Sequence, residues 1–256
     1  MFLSPMDGVG FGAGGSGLTE FPNLTDLHWR HVAEAANMSL SGSLVNTWYD
    51  TGDENGLAGT GEADIVGSGD TRPTFGAATG PNGTGSVLFD NDIMSLNNMS
   101  TGLAQPYHFF WIMKQVSYTT YERLASYKTS GSANGNIGHQ YGSSPGIEGR
   151  FGNPSGVGNK ISEATLGTWV LYEVFANNST SSYDRVNNGT KSTGINSGSS
   201  GPFIRFVMCG DDNMSDLPSH FDVAEAVHCG GGSEVTGDDH AQLMNYFRDR
   251  YGLTIS

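Results

Sequence analysis

His108-Phe-Phe-Trp-Ile-Met-Lys-Gln-Val116 decides the fold class, because it is a short run built mainly of aromatic and β-branched residues. Runs of the same kind recur at 27–32, 44–49, 86–89, 121–127, 169–175, 203–209 and 221–228. Clusters of Gly, Ser, Asn, Asp and Pro separate them, at 51–61, 76–85, 130–135, 177–184 and 187–201. Short strands alternating with turn signals are the pattern of an antiparallel sandwich or barrel. Residues 25–36 also read as a short helix capped by Thr25 or Asp26.

Composition supports an all-β chain with a real core. Glycine reaches 38 of 256 residues, roughly twice ordinary usage, which demands many turns. Twenty-seven aromatic residues supply large buried area per side chain. Near the C-terminus the pattern changes. Leu243, Phe247 and Tyr251 share one helix face, Thr236-Gly-Asp-Asp239 resembles a capping box, and Gly252 supplies a stop, predicting a helix over 237–251. Arg248 and Arg250 fall in its last turn, where the helix dipole favours cations.

Charge narrows the partners. With 26 acidic against 12 basic residues the net charge is −14, and no Lys/Arg cluster offers a nucleic-acid or anionic-membrane face. No segment approaches the roughly 20 apolar residues of a membrane span. The first residues lack a basic n-region and a continuous apolar stretch, so no signal peptide is expected. Cys209 and Cys229 make neither a disulfide framework nor a four-ligand zinc site; they read as small buried hydrophobes, with a single bridge as the alternative.

Residues 1–26 stand apart. Gly8, Gly10, Gly12, Gly14, Gly15 and Gly17 alternate with small residues, predicting a flexible arm ahead of one domain over 27–256. Phe2, Phe11 and Phe21 would be its docking side chains on a neighbouring subunit.

Several segments resemble, in order, the concanavalin A-like jelly rolls of the laminin-G and pentraxin-like group, especially the LamG-like modules of bacterial and phage proteins. Leu27-His-Trp-Arg-His-Val-Ala33 is similar to that group's opening strand, and Ser43-Leu-Val-Asn-Thr-Trp48-Tyr-Asp50 to its V-x-x-W-x-D segment. Thr71-Arg72-Pro73-Thr-Phe75 with Gly85-Ser-Val-Leu-Phe89-Asp90 resembles its R-P-x-F and V-x-F-D pair. Gly167-Thr-Trp169-Val-Leu-Tyr172 with Val186-Asn187-Asn188-Gly189 resembles a later hairpin, and Phe221-Asp-Val-Ala-Glu225-Ala-Val with the final helix resembles the closing signature. The resemblance implies a two-sheet antiparallel jelly roll with the helix packed on one edge. His228 and Arg250 depart from it.

Candidate sites follow from chemistry. Some members of the fold group cleave glycosides with two facing carboxyls. The nearest match, Glu62-Ala-Asp64-Ile-Val-Gly67, has glycine where a third acid belongs, so no catalytic residue and no enzymatic activity are expected. Asp50, Asp53 and Asp70 offer hard oxygens of the kind calcium takes, but their spacing matches no defined loop; no cofactor is the first expectation and calcium the second. A pyranose presents an apolar face and a hydroxyl rim, so Tyr141, Phe151 and Tyr183, lying among Gly, Ser and Asn, are the candidate glycan contacts. Glu225-Ala-Val-His228 on a strand points to opposite faces and makes no ligand pair.

Arm and jelly roll together suggest a virion structural protein, a bacteriophage head-decoration or tail component, homo-oligomeric and touching other virion subunits through the arm. An outward-facing domain would add contact with host glycans. The alternative is a carbohydrate-binding adhesion module, and a glycoside hydrolase ranks third.

Overall fold

The computed structural model describes residues 20–52, 65–67, 72–96, 105–117, 122–129, 134–139, 148–150, 165–177, 181–195, 203–210 and 220–256. Successive side chains of a strand point to opposite faces, and the decisive run is apolar on both. Tyr107, Phe109, Trp111 and Met113 enter one buried cluster, while Phe110 and Ile112 enter another. A strand of this kind must be covered on two sides.

Among the described residues those covers come from sixteen strands and one α-helix. In order, the strands are β1 (Leu27–Val32), β2 (Met38–Ser41), β3 (Leu44–Trp48), β4 (Ile65–Gly67), β5 (Thr74–Gly76), β6 (Ser86–Asp90), β7 (Met94–Leu96) and β8 (Tyr107–Gln115). Then come β9 (Arg123–Thr129), β10 (Asn134–His139), β11 (Glu148–Arg150), β12 (Trp169–Ala176), β13 (Ser182–Val186), β14 (Ser192–Ile195), β15 (Phe203–Met208) and β16 (His220–Gly230). The helix α1 spans Gly237–Tyr251 and ends on Gly252 in the left-handed conformation at φ 63°, whose N–H bonds to Arg248 O.

Hydrogen bonding runs along the path β11-β10-β9-β15-β7-β4-β3-β5-β6-β16-β8-β12-β13-β14, with β1 beside β16 and β2 beside β3. Six strands separate β15 from β8 on this path. Yet Phe206 of β15 stacks on Phe109 of β8 at 6.4 Å and lies 6.2 Å from Trp111. The sheet therefore folds over on itself, and its narrow link is β3 to β5, joined through the pair Leu44↔Thr74. The inner cluster, with Trp48, Phe89, Trp111, Tyr127, Tyr172 and Phe206, fills the space between the layers. The outer face of β16, β8 and β12 is closed by α1 through Leu243, Met244, Phe247 and Tyr251.

The all-β architecture with a C-terminal helix agrees with the sequence analysis, and the structure corrects it in detail. Residues 27–32 are the strand that the run pattern predicts, paired antiparallel with β16, and the alternative helix over 25–36 does not form. Thr236 is extended at the helix start and its side chain makes no capping bond. The 177–184 and 187–201 loop regions contain strand residues, in β13 and β14, because their Ser, Thr and Gly content masks a ladder set by backbone pairing. His228, the odd residue in an apolar strand, lies between the rings of Phe109 at 3.7 Å and Trp29 at 4.0 Å; burial holds its imidazole well below the ordinary pKa. Cys209 and Cys229 are buried thiols in different clusters, inner and outer, and do not bridge.

The arm boundary also moves. Phe2 and Phe11 lie outside the described residues, but Phe21 sits edge-on to Tyr246 at 5.2 Å with the Arg30 guanidinium 4.0 Å from its ring centre. Leu24 belongs to the outer cluster. Residues 20–26 thus pack on their own domain, since α1 leaves an aromatic edge for them to cover. Truncating Leu24 to Ala should cost about 2–5 kcal/mol, read as a lower urea midpoint with an unchanged slope. An unaltered midpoint would place this segment outside the cooperative fold.

Candidate functional site

Two groups of polar side chains occupy opposite ends of the doubly covered strands, and they differ in how completely they are satisfied. At the end where β8 begins and β12 finishes, Glu173 is fully buried on the outer face. Arg185 grips it with Nε at 2.9 Å and Nη2 at 2.7 Å, and His108 Nε2 lies 3.0 Å away. The Val235 amide donates to His108 Nδ1 at 3.1 Å, so the proton of a neutral His108 sits on Nε2 and points at Glu173. Tyr183 places its hydroxyl 3.0 Å from Glu173 and 2.7 Å from Glu234, and Lys191 closes the chain at 2.8 Å from Glu234. His240, from the first turn of α1, lies 3.2 Å from Glu173.

Burial alone would push the Glu173 carboxyl up, but the bonds from His108, His240 and Arg185 hold it well below the ordinary range. Burial lowers His108 in turn, more than the neighbouring carboxylates raise it. A second clamp uses Glu225 on β16. It accepts from Arg30 Nε at 2.7 Å and from Tyr246 at 2.9 Å, with Tyr251 as a further donor. As the strand alternation requires, Glu225 faces the helix and His228 faces the inner core. Both clamps are internally complete, and their chemistry is that of fastenings between helix and sheet.

The opposite end is different. There β6, β16 and β8 meet β12 in a rim whose terminal residues are Asp90, His220, Gln115 and Trp169. His220 pairs in register with Asp90, and Phe221 with Gln115. Glu122, buried at the start of the β9 segment, accepts Gln115 Nε2 at 3.0 Å on one oxygen. Its other oxygen lies 2.7 Å from His220 Nδ1. A carboxylate only accepts, so His220 carries a proton on Nδ1 and its Nε2 faces Asp90 Oδ1 at 3.2 Å. The Gln115 amide is fixed in orientation, because flipping it would set oxygen against the carboxylate. Its Oε1 is left buried with no hydrogen-bond partner.

Apolar surface adjoins these groups. Val116 and Leu166 are 42% and 44% exposed. Their positions are tied to the polar rim by Val116 N to His220 O and by Gly167 N to Gln115 O, each 2.8 Å. On the outer side Lys114 pairs with Asp222 at 2.9 Å and stands 4.7 Å from the centre of the half-buried Trp169 ring. Asp222 Oδ1 is a second buried acceptor without a partner. Exposed apolar groups therefore stand beside buried acceptors at this end, whereas the Glu173 and Glu225 groups are closed among themselves.

The residues proposed from sequence fall elsewhere. Tyr183 is 3% exposed, its ring under Lys191 Nζ at 3.8 Å, so it gives no open stacking face; it belongs to the Glu173 network. Tyr141, Phe151, Asp53, Asp70, Glu62 and Asp64 lie outside the described residues. Asp50 Oδ1 accepts the amides of Arg30 at 2.9 Å and Gly52 at 2.8 Å, which makes it a turn-forming residue. Among the described residues no group of three or more His, Cys, Asp or Glu is arranged to hold a metal ion. Sequence reasoning missed the rim because Glu122 and His220 are 98 positions apart. Asp90, Gln115, Val116, Trp169 and the Phe221-Asp222 pair enter the sequence analysis only as pieces of separate strand motifs.

No protein-family model and no curated protein sequence matches this chain. Solved structures do. One is domain 4 of an extracellular arabinanase of Geobacillus stearothermophilus, in complex with arabinotriose; it matches over 86% of this chain and 98% of that one, with a TM-score of 0.57 and 14% identity. Others are a GH54 α-L-arabinofuranosidase soaked with 4-nitrophenyl α-L-arabinofuranoside and an arabinofuranosidase complexed with arabinofuranosyl-α-1,2-xylobiose, each matched over 80% of this chain at a TM-score of 0.54 and 12% identity. This chain spans 51% of each arabinofuranosidase chain. At such identities the likeness is one of fold. It corrects the expectation of no enzymatic activity, since domains of this shape occur in glycoside hydrolase chains and the glycine ending Glu62-Ala-Asp64-Ile-Val-Gly67 excludes only one way of placing carboxyls.

The Glu173 network makes a pH prediction. His108 and Glu173 both have folded pKa values below their unfolded ones, so the unfolded chain binds more protons and stability falls as pH falls. The loss should begin below about pH 6.5 through His108 and continue below about 4.3 through Glu173. Replacing Glu173 with Gln should cost about 3–5 kcal/mol at pH 7 by stranding Arg185, and should flatten the acid limb of the stability profile. An equally steep acid limb in the variant would show that other groups carry it.

Proposed function

We propose that this chain is a carbohydrate-binding β-sandwich domain of the concanavalin A-like jelly-roll kind, with its sugar site on the rim of Asp90, Gln115, Glu122, Val116, Leu166 and His220. The observation that carries this reading is the juxtaposition of exposed Val116 and Leu166 with a buried, unpartnered amide oxygen and a carboxylate-held imidazole. A sugar ring has the matching pair of properties, an apolar face to cover the aliphatic groups and hydroxyl donors for the acceptors. Sugar hydroxyls meet the exposed Asp90 carboxylate directly and the buried oxygen through one water. The fold shared with an arabinanase domain solved with arabinotriose supports the reading and makes arabinose-containing oligosaccharides the first ligands to try.

This places glycan binding ahead of assembly in a virus particle. The assembly reading relied on aromatic residues of the arm, and Phe21 is committed to its own domain. Calorimetric titration of the full chain with arabinotriose, with and without a calcium chelator, tests the proposal. Saturable binding is expected, weakened about three- to ten-fold by His220→Ala through the loss of one hydrogen bond and weakened similarly by Leu166→Ser. Absence of saturable binding to arabinotriose and to a broad panel of glycans would remove the reading.

A further inference from the structure

The rim also carries information on which sugars it takes. His220 donates its Nδ1 proton to Glu122, and its Nε2 lies 3.2 Å from Asp90 Oδ1, so two carboxylates flank the imidazole. The exposed Asp90 carboxylate is an acceptor beside it, and Gln115 Oε1 is another, on a side chain more than nine-tenths buried and lacking a donor. A ligand completes this arrangement by bringing hydroxyl protons. The formal charges next to the imidazole are those of Asp90 and Glu122, and Asp92 accepts the Asp90 amide at 3.3 Å. Lys114, the cation at the outer edge of the rim, is neutralised by Asp222. A carboxylated sugar would set acceptor against acceptor here and would approach a chain of net charge −14.

We infer that the rim selects neutral, hydroxyl-rich oligosaccharides and rejects acidic ones, with Asp90 as the specificity-determining residue. This rests on the carbohydrate-binding reading and adds the ligand class to it. Asp90 suits the role because its side chain is 67% exposed at a strand end, so its replacement spares the core.

Two probes of equal length, arabinotriose and trigalacturonate, decide the matter when titrated into the full chain at pH 7 and low salt. Arabinotriose should bind at least about ten-fold more tightly, the acidic probe being penalised by like charge. Asp90→Asn should narrow that ratio by about three-fold or more, with a smaller salt effect on the acidic probe than in the parent chain. Equal or tighter binding of trigalacturonate overturns the selectivity while leaving carbohydrate binding intact. An unchanged ratio in Asp90→Asn overturns the role of Asp90. Failure of both probes, and of a wider glycan panel, overturns the underlying reading and the selectivity with it.

Discussion

Strands β8, β12 and β16 are buried on both faces, and the rest of the structure follows from that constraint. One face must meet the folded-over half of the sheet through Phe109, Trp111 and Tyr172. The other must meet a helix through Phe110, Ile112 and Leu171. Any charge on such a strand has to be paired where it stands, because an unpaired buried carboxylate would be far more costly than its removal. Glu173 and Glu225 obey this rule by taking every donor within reach, from β1, β8, β13 and α1. The same pairings orient the helix on the sheet, so charge satisfaction and tertiary arrangement are one problem with one solution.

That solution consumes the polar groups of one end and leaves those of the other. Near α1 the acids, bases and hydroxyls form closed sets, and their perturbed protonation reflects burial together with partners. At the rim, Glu122 orders Gln115 and His220 but leaves acceptors undonated, and Val116 and Leu166 stay in water. Strongly perturbed ionisation is often a guide to function. Among the described residues Glu173, held well below the ordinary carboxylate range, belongs to the fastening between helix and sheet.

The fold class was legible because alternation and β-rich composition act locally. Residues 108–116 and 221–228 announce themselves as strands, and Leu243, Phe247 and Tyr251 announce α1 together with the Gly252 stop. Strands such as Ser182–Val186 and Ser192–Ile195 were hidden because their place in the ladder comes from neighbours, not from propensity. The role of Phe21 was hidden for a related reason: a lone aromatic in a Gly-rich stretch gives no sign of the Arg30–Tyr246 edge that receives it. Tyr183 looked like a surface platform because Ser, Asn and Gly surround it, whereas Glu173, Glu234 and Lys191 draw it inward. The rim could not be found from order along the chain, since strand register alone brings Asp90, Gln115 and His220 together.

In the reading proposed above, the open rim, and not the closed network near α1, receives a sugar. Two-dimensional NMR of the labelled full chain during titration with arabinotriose tests it most directly. Saturable shifts are expected at Val116, Leu166, Gly167 and the His220 ring, with the amides of Val235 and His240 unmoved. Shifts centred on Val235, Tyr183 and His240, or spread evenly with no saturation, would contradict it.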